Sequence, residues 1–243
     1  LKKLLILMEA EPFILFGTDH LLAILTVILI SILVPHYLKK TSLATKKRFG
    51  YALAYILILN ELVKPYYHTQ FFGYDLLNVL PFHMCALSAF SISIFLLTNK
   101  RIFYEVAFFW GIGGGLMALL QPDTPLDFPD PVFIIFYLSH GAMLLAIGHA
   151  SIALENRPNL DSVKKAIIVS LVVIVVIYFI NLILGPPANF WYLGARPDGI
   201  SIMNLMPDPP RHIPIVITLG LIMFSIIYLP YWIYDQLKAK DAG

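Results

Sequence analysis

The stretch "AIIVSLVVIVVIYFINLIL", residues 166–184, breaks nineteen positions of apolar side chains only at Ser170 and Asn181, with the amphipathic Tyr178 between them. A hydrocarbon core about 30 Å thick takes about 20 apolar residues to cross at about 1.5 Å each. In the absence of water a helix is the form that pairs every backbone N–H and C=O within one segment. None of the period-2 alternation of a barrel strand is present. The stretch therefore reads as a membrane-crossing helix, and the rest of the chain repeats the pattern.

Of the 243 residues, 59% are apolar and 13% charged, where a soluble domain carries about 25% charged residues. The fold class that follows is all-α, a polytopic bundle of about seven transmembrane helices forming a single domain over residues 1–243. The expected spans are 20–38, 48–66, 79–98, 102–121, 132–154, 164–185 and 213–235. Polar or proline-broken connections separate them: "KKTSLATKKR" (39–48), "NKR" (99–101), "QPDTPLDFPDP" (121–131) and "ENRPNLDSVKK" (155–165). The connection after 185 is different. Residues 186–212 are long, proline-rich and aromatic, and they are expected to fold as a cap over one mouth of the bundle.

At the start, "LKKLLILMEAEPF" (1–13) has too short an apolar run for a signal peptide and carries Glu9 and Glu11. No cleaved signal is expected, Leu1 suggests an incomplete start, and residues 1–19 are expected along the interface. Basic residues fix the orientation. Loops 1–2, 3–4 and 5–6 and the C-terminal tail hold 12 of the 17 Lys and Arg, against 5 on the opposite side. The N-terminus and the cap are then outside and the C-terminus inside. A multi-pass protein of the cell membrane is expected if the source is prokaryotic, with the lipid bilayer as partner. The net charge of +2, with no basic stripe, gives no reason to expect nucleic acid.

Ionisable groups inside a membrane are costly and mark function. Here the polar and ionisable groups gather in the outer half: His20, Asn60, Glu61, Cys85, Asp123, His140 and Asn181. Cys85 lies in "PFHMCALS" (81–88) and is the chain's single cysteine, which excludes an internal disulfide and a multi-cysteine zinc site. With helix 3 entering near Val79 and helix 5 near Pro131, Cys85 falls about 9 Å deep and His140 about 13 Å deep. His83, two residues from Cys85 on the same expected helix, would point about 200° away. The partner of the thiol is therefore sought on another helix. His140 stands beside Gly141, which leaves room for a helix or a substrate chain. Cysteine with histidine is the minimal nucleophile and base pair for acyl chemistry, and Pro81 in the first turn would place the thiol near a positive helix end.

Four segments together carry a resemblance: "PFHMCALSAF" (81–90), "RIFYEVAFFWGIGGGLMALLQPD" (101–123), "FYLSHGAML" (136–144) and "NLILGPPANFWYLGARP" (181–197). The chain resembles the YwaF-like integral membrane proteins that include transmembrane protein 164, and departs from them after "NLMPDPPRHI" (204–213), where members tend to carry a Trp-rich stretch. The resemblance implies an intramembrane acyltransferase that moves a fatty acyl chain from a phospholipid to a lysophospholipid through a cysteine thioester. Cys85 and His140 match the family's catalytic pair.

Each candidate also has a plainer reading. Cys85 can be a small apolar filler and His140 an interhelical hydrogen-bond donor. Glu61 can pair with Lys64, and His20 can cap helix 1; either can line the site. Asp123 can cap helix 4 or orient His140 as the third member of a Cys-His-Asp set. Asn181 or Asn189 is a candidate oxyanion donor, and Arg196 either anchors in the aromatic belt with Phe190, Trp191 and Tyr192 or binds a lipid phosphate. In "GIGGG" (111–115), Gly111 and Gly115 have the spacing of close helix packing rather than of a phosphate loop. No HxxxH or HxxE spacing places metal ligands on one face, and neither a metal nor a cofactor is expected. The same site supplied with water would be a lipid acyl hydrolase. The rival from another class is a non-catalytic lipid or small-solute binding protein or transporter.

Overall fold

Why the helices start and stop where they do is written mostly in their caps. In the computed structural model, which describes residues 11–196 and 202–240, the first long helix, α1, spans Thr18–Lys39. Helix α2 spans Leu43–Phe72. It starts where the Ser42 hydroxyl accepts from the Thr45 N–H and ends at Gly73 in the left-handed conformation (φ 76°) that glycine tolerates. It continues through Pro65, six residues past the expected end. A one-turn helix, α3 (Leu76–Val79), is capped by Asp75.

Helix α4 runs Met84–Thr98, five residues later than expected for its start. The reason is Pro81. The residue before a proline is driven to extended backbone, and Leu80 has ψ 146°. Residues 81–83 are a turn, and His83 is the extended N-cap. Helix α5 spans Arg101–Leu120. Helix α6 spans Pro131–Gly148, with Pro131 at the first position after the Asp130 cap, and runs on as one π-turn, His149–Ala153. Helix α7 spans Leu160–Leu184 and begins with a reciprocal Asn159–Ser162 capping box. Helix α8 spans Ile213–Lys240.

Among the described residues, five helices are long and apolar enough to cross a membrane: α1, α5, α6 with its π-turn, α7 and α8. Their outward faces carry the apolar side chains that lipid would cover, such as Ile168, Val172, Val175, Phe179 and Ile183 on α7. The chain is an integral, multi-pass, all-helical membrane protein.

Helix α5 is the axis, with Tyr104, Ala107 and Phe109 fully buried, and it packs on α4, α6, α7 and α8. The "GIGGG" segment is its hub. A Cβ on Gly111 or Gly115 would meet Ile147 or Met143 of α6, and one on Gly113 would meet Met223 of α8. On Gly114 it would lie 3.2 Å from Met84 Sδ and 4.0 Å from Cys85 Sγ of α4. Helix α1 leans on α6, where Gly141 receives Val27 and Gly148 lies against the Ser31 carbonyl oxygen. The room beside Gly141 is thus taken by α1. Since the obstacle at Gly148 is backbone rather than a movable side chain, Gly148→Ala is expected to lower stability by about 1–3 kcal/mol. A thermal melt in detergent checks this, with Gly114→Ala, facing the flexible Met84, expected to cost less.

The basic end of the bundle is held by ion pairs. The buried Glu105 accepts from Arg101 Nε (3.0 Å), Lys165 Nζ (3.0 Å) and Ser162 Oγ (2.9 Å). Arg157 pairs with Asp235 at 2.7 Å, and Lys39 with Glu155 at 3.0 Å, which holds that carboxyl below the usual carboxylate range. His149 Nε2–H donates to the Lys46 carbonyl at 3.0 Å. At the opposite end lie the cap, the 121–130 loop and the start of α4.

Candidate active site

Cys85 is the second residue of α4, after the His83 cap and Met84. A helix has no carbonyl partners for its first N–H groups, and here those of Met84 and Ala86 find none elsewhere among the described residues. The thiol therefore stands in the first turn, at the positive end of the helix dipole, shallower in its helix than a start at 79 would place it. The 200° argument that set His83 apart from Cys85 falls away, because His83 lies outside the helix with extended backbone (φ −65°, ψ 152°). Its Nε2–H donates to the Asn78 carbonyl at 2.8 Å, and its ring meets Phe190 edge-on.

His140 has a defined tautomer. Its Nδ1 lies 2.9 Å from the carbonyl oxygen of Phe136, one turn back on α6. A carbonyl can only accept, so Nδ1 carries the proton and Nε2 presents the lone pair. This is the orienting role that the carboxylate plays in a Ser-His-Asp set, filled here by backbone. Asp123 does not take it, nor does it cap α5, whose C-cap is Gln121. Asp123 instead lines a small cavity of about 40 Å³ together with Lys64, His68, Ser139 and His140. A larger groove of about 350 Å³ follows α8 between Thr218 and Leu229, with no titratable group in its lining.

Lys64 stands on α2, which packs on both α4 and α6, and it lines the cavity of His140. Glu61 is buried and makes no ion pair with Lys64; its Oε1 takes a 3.3 Å hydrogen bond from Asn60, and Oε2 has no partner. Glu61, Lys64 and His68 recur at helical spacing on one face of α2, a signal present in the sequence that points to Lys64 and His68 as site residues in their own right. No hydrogen bond joins Cys85 to His140; their helices, α4 and α6, pack on each other and both pack on α2.

The remaining candidates have other work. His20 is fully buried, with both ring nitrogens used: the Phe16 N–H donates to Nδ1 and Nε2–H donates to the Leu119 carbonyl, each at 2.8 Å. It clamps the start of α1 to the end of α5. Asn181 donates to the Phe190 carbonyl and accepts from its N–H, both at 2.9 Å. Asn189 is spent within the cap, on the Ala195 carbonyl and the Gly194 and Ala195 N–H groups. Each amide is thus anchored to the backbone of the cap and keeps one further N–H. Arg196 pairs with Asp208 at 3.1 Å and donates to the Met206 carbonyl.

Phe190 and Trp191 do not form an exposed belt. Phe190 is fully buried against Phe82 and His83, while Trp191 donates to the Phe82 carbonyl at 3.0 Å and meets Trp110 of α5 edge-on. Only Tyr192 shows substantial surface, and its carbonyl accepts from His212 at 2.8 Å. The cap thus seats on the turn that begins the helix of Cys85. Among the described residues no cluster of three His, Cys, Asp or Glu side chains is placed to hold a metal ion.

The chain is similar to an uncharacterized protein of Treponema pallidum (strain Nichols), 26% identical over 155 residues, an alignment that spans 63% of this chain and 63% of that protein. No solved structure matches. A family match reaches much further, over residues 15–228, and takes in α1 through most of α8, the Cys85 turn, the His140 face and the cap. The chain belongs to the TMEM164 family.

Proposed function

We propose that this protein is a membrane-embedded phospholipid acyltransferase in which Cys85 is the nucleophile and His140 the general base. The observation that carries the reading is the tautomer of His140: the Phe136 carbonyl holds Nδ1–H, so the ring offers an unprotonated Nε2 beside a cavity at the end of the bundle where the Cys85 thiol begins its helix. His140 takes the thiol proton, and Sγ adds to an ester carbonyl of a phospholipid. The N–H groups of Met84 and Ala86, rather than an asparagine amide, are suited to hold the developing oxyanion. Collapse breaks the C–O bond, and the leaving lysophospholipid alkoxide receives the proton from His140. A lysophospholipid hydroxyl then gives its proton to Nε2 and attacks the thioester; the C–S bond breaks, and the released thiolate takes that proton back from Nε2. Water as acceptor would make the same site a hydrolase.

Seven crossings complete the proposal, with α2 and α4 joining the five apolar helices. Helix α4 is short, but it packs among α2, α5 and α6 and has little lipid to face. Helix α2 holds Glu61 and Lys64 toward the site while Lys46, Lys47 and Arg48 stand at its basic end. The ion-paired end, rich in Lys and Arg, faces inward and the cap outward, in the cell membrane if the source is prokaryotic.

Intact-mass measurement on protein incubated with mixed phospholipids tests the reading. An acyl adduct released by neutral hydroxylamine, present in the natural protein and absent from Cys85→Ala, is expected. No adduct with any lipid would move the assignment to a binding protein or transporter.

A further inference from the structure

An unpaired ammonium at the acyl-transfer site asks for a counter-charge. Lys64 is partly buried, makes no hydrogen bond or ion pair with any described residue, and lines the cavity of His140 together with His68 and Ser139. Two carboxylates are candidates to pair with it, Glu61 three residues away in sequence and Asp123 on the same cavity, and neither forms an ion pair with it. His68 contributes a second unsatisfied group, a buried Nδ1 without a partner. A partly buried cation without an ion-pair partner is costly unless a ligand supplies the opposite charge.

We infer that Lys64, with His68 and Ser139, is the phosphate-binding subsite that selects a phospholipid over a neutral glyceride, and that Asp123 on the same cavity receives the amine of a zwitterionic headgroup. The inference rests on the acyltransferase reading for its purpose but not for its chemistry. A phosphodiester is a few covalent bonds from the ester carbonyl of its own lipid, so a grip on the phosphate beside His140 brings the ester to the base and the thiol. A point charge on a flexible stem suits a phosphate that enters from the bilayer, and Ser139 adds a neutral donor one residue from His140. Asp123 is solvent-exposed at the rim. There it repels an anionic headgroup and attracts the ammonium of a phosphoethanolamine or phosphocholine group.

The test is equilibrium binding of tail-labelled phosphatidylethanolamine, phosphatidylglycerol and diacylglycerol to the full chain in maltoside micelles. Cys85→Ala serves as background so that no turnover intervenes. Lys64→Gln is expected to weaken both phospholipids roughly ten- to a hundredfold, the range for a lost contact to a charged group, and to leave diacylglycerol unchanged. Lys64→Arg is expected to retain the preference, and Asp123→Asn to narrow the gap between phosphatidylethanolamine and phosphatidylglycerol. Equal loss of all three lipids in Lys64→Gln, or no loss, overturns the phosphate subsite; no change in Asp123→Asn overturns the amine contact. If Lys64→Gln does not fold, loss of phospholipid preference in a folded Lys64→Arg would overturn the subsite instead. Because binding is read without a thioester, a missing acyl adduct in the natural protein would sink the acyltransferase reading and leave this result standing.

Discussion

Cys85→Ser is expected to lose acyl transfer by about a thousandfold or more while keeping its fold. The hydroxyl is close in size to the thiol, so packing against Gly114 changes little, but serine needs a stronger base than one imidazole oriented by a backbone carbonyl. Cys85→Ala removes the nucleophile and a few atoms of packing, at about 1 kcal/mol. His140→Gln is expected to reduce transfer by about a hundred- to ten-thousandfold, the usual range for a general base. The decisive comparison is the double variant. Residues that act in one step are not additive, so Cys85→Ala with His140→Gln should be no slower than Cys85→Ala alone. Initial rates of acyl exchange between labelled phospholipid and lysophospholipid, normalised to folded protein, measure all four. Were Cys85 only a filler, stability would fall slightly in the variants and the rate per folded molecule would hold.

The apolar runs made five long helices legible from sequence, because twenty residues without charge leave a helix little alternative in a membrane. The other two helices of the candidate site, α2 and α4, were harder. Helix α4 starts at Met84 rather than Val79 since Pro81 breaks the run, a local effect that periodicity averages over. That shift changes the chemistry: Cys85 moves into the first turn, and His83 becomes a cap residue free of the helical 200° rule. The pairing of cysteine with histidine came from depth and resemblance; that the ring of His140 turns back onto the Phe136 carbonyl is a matter of side-chain rotamer, which sequence leaves open. Lys64 was legible as a charge but read as an ion-pair partner of Glu61. The spacing of Glu61, Lys64 and His68 was the signal for a shared face, and only the fold shows Lys64 and His68 lining the cavity of His140.

The asparagines teach the opposite lesson. An amide in the outer half of a membrane helix can serve substrate or backbone, and sequence does not say which; here Asn181 and Asn189 both serve the cap. Asn181 is the more consequential. It exchanges two hydrogen bonds with the backbone of Phe190, a side chain with no exposed surface, wedged on Phe82 and His83 where the helix of Cys85 begins. Asn181→Ala leaves the buried Phe190 N–H unpaired and its C=O with only the 3.5 Å bond from the Leu193 N–H, so a loss of roughly 1–4 kcal/mol is expected. That is a large part of the stability of an ordinary domain, and it is expected to appear first as release of the cap rather than as melting of α5. Asn181→Asp separates the two bonds, since a carboxylate still accepts from the Phe190 N–H but cannot donate to its carbonyl; its melting temperature is expected between the other two. Reaction of Cys85 with a water-soluble maleimide reports the cap directly. Faster labelling in Asn181→Ala than in Asn189→Ala is expected, because Asn189 binds only loop backbone near Ala195 whereas Asn181 joins the cap to the membrane helix beneath it. Equal labelling rates, with the melting temperature unmoved, would mean that Trp191 and its bond to the Phe82 carbonyl hold the cap on their own.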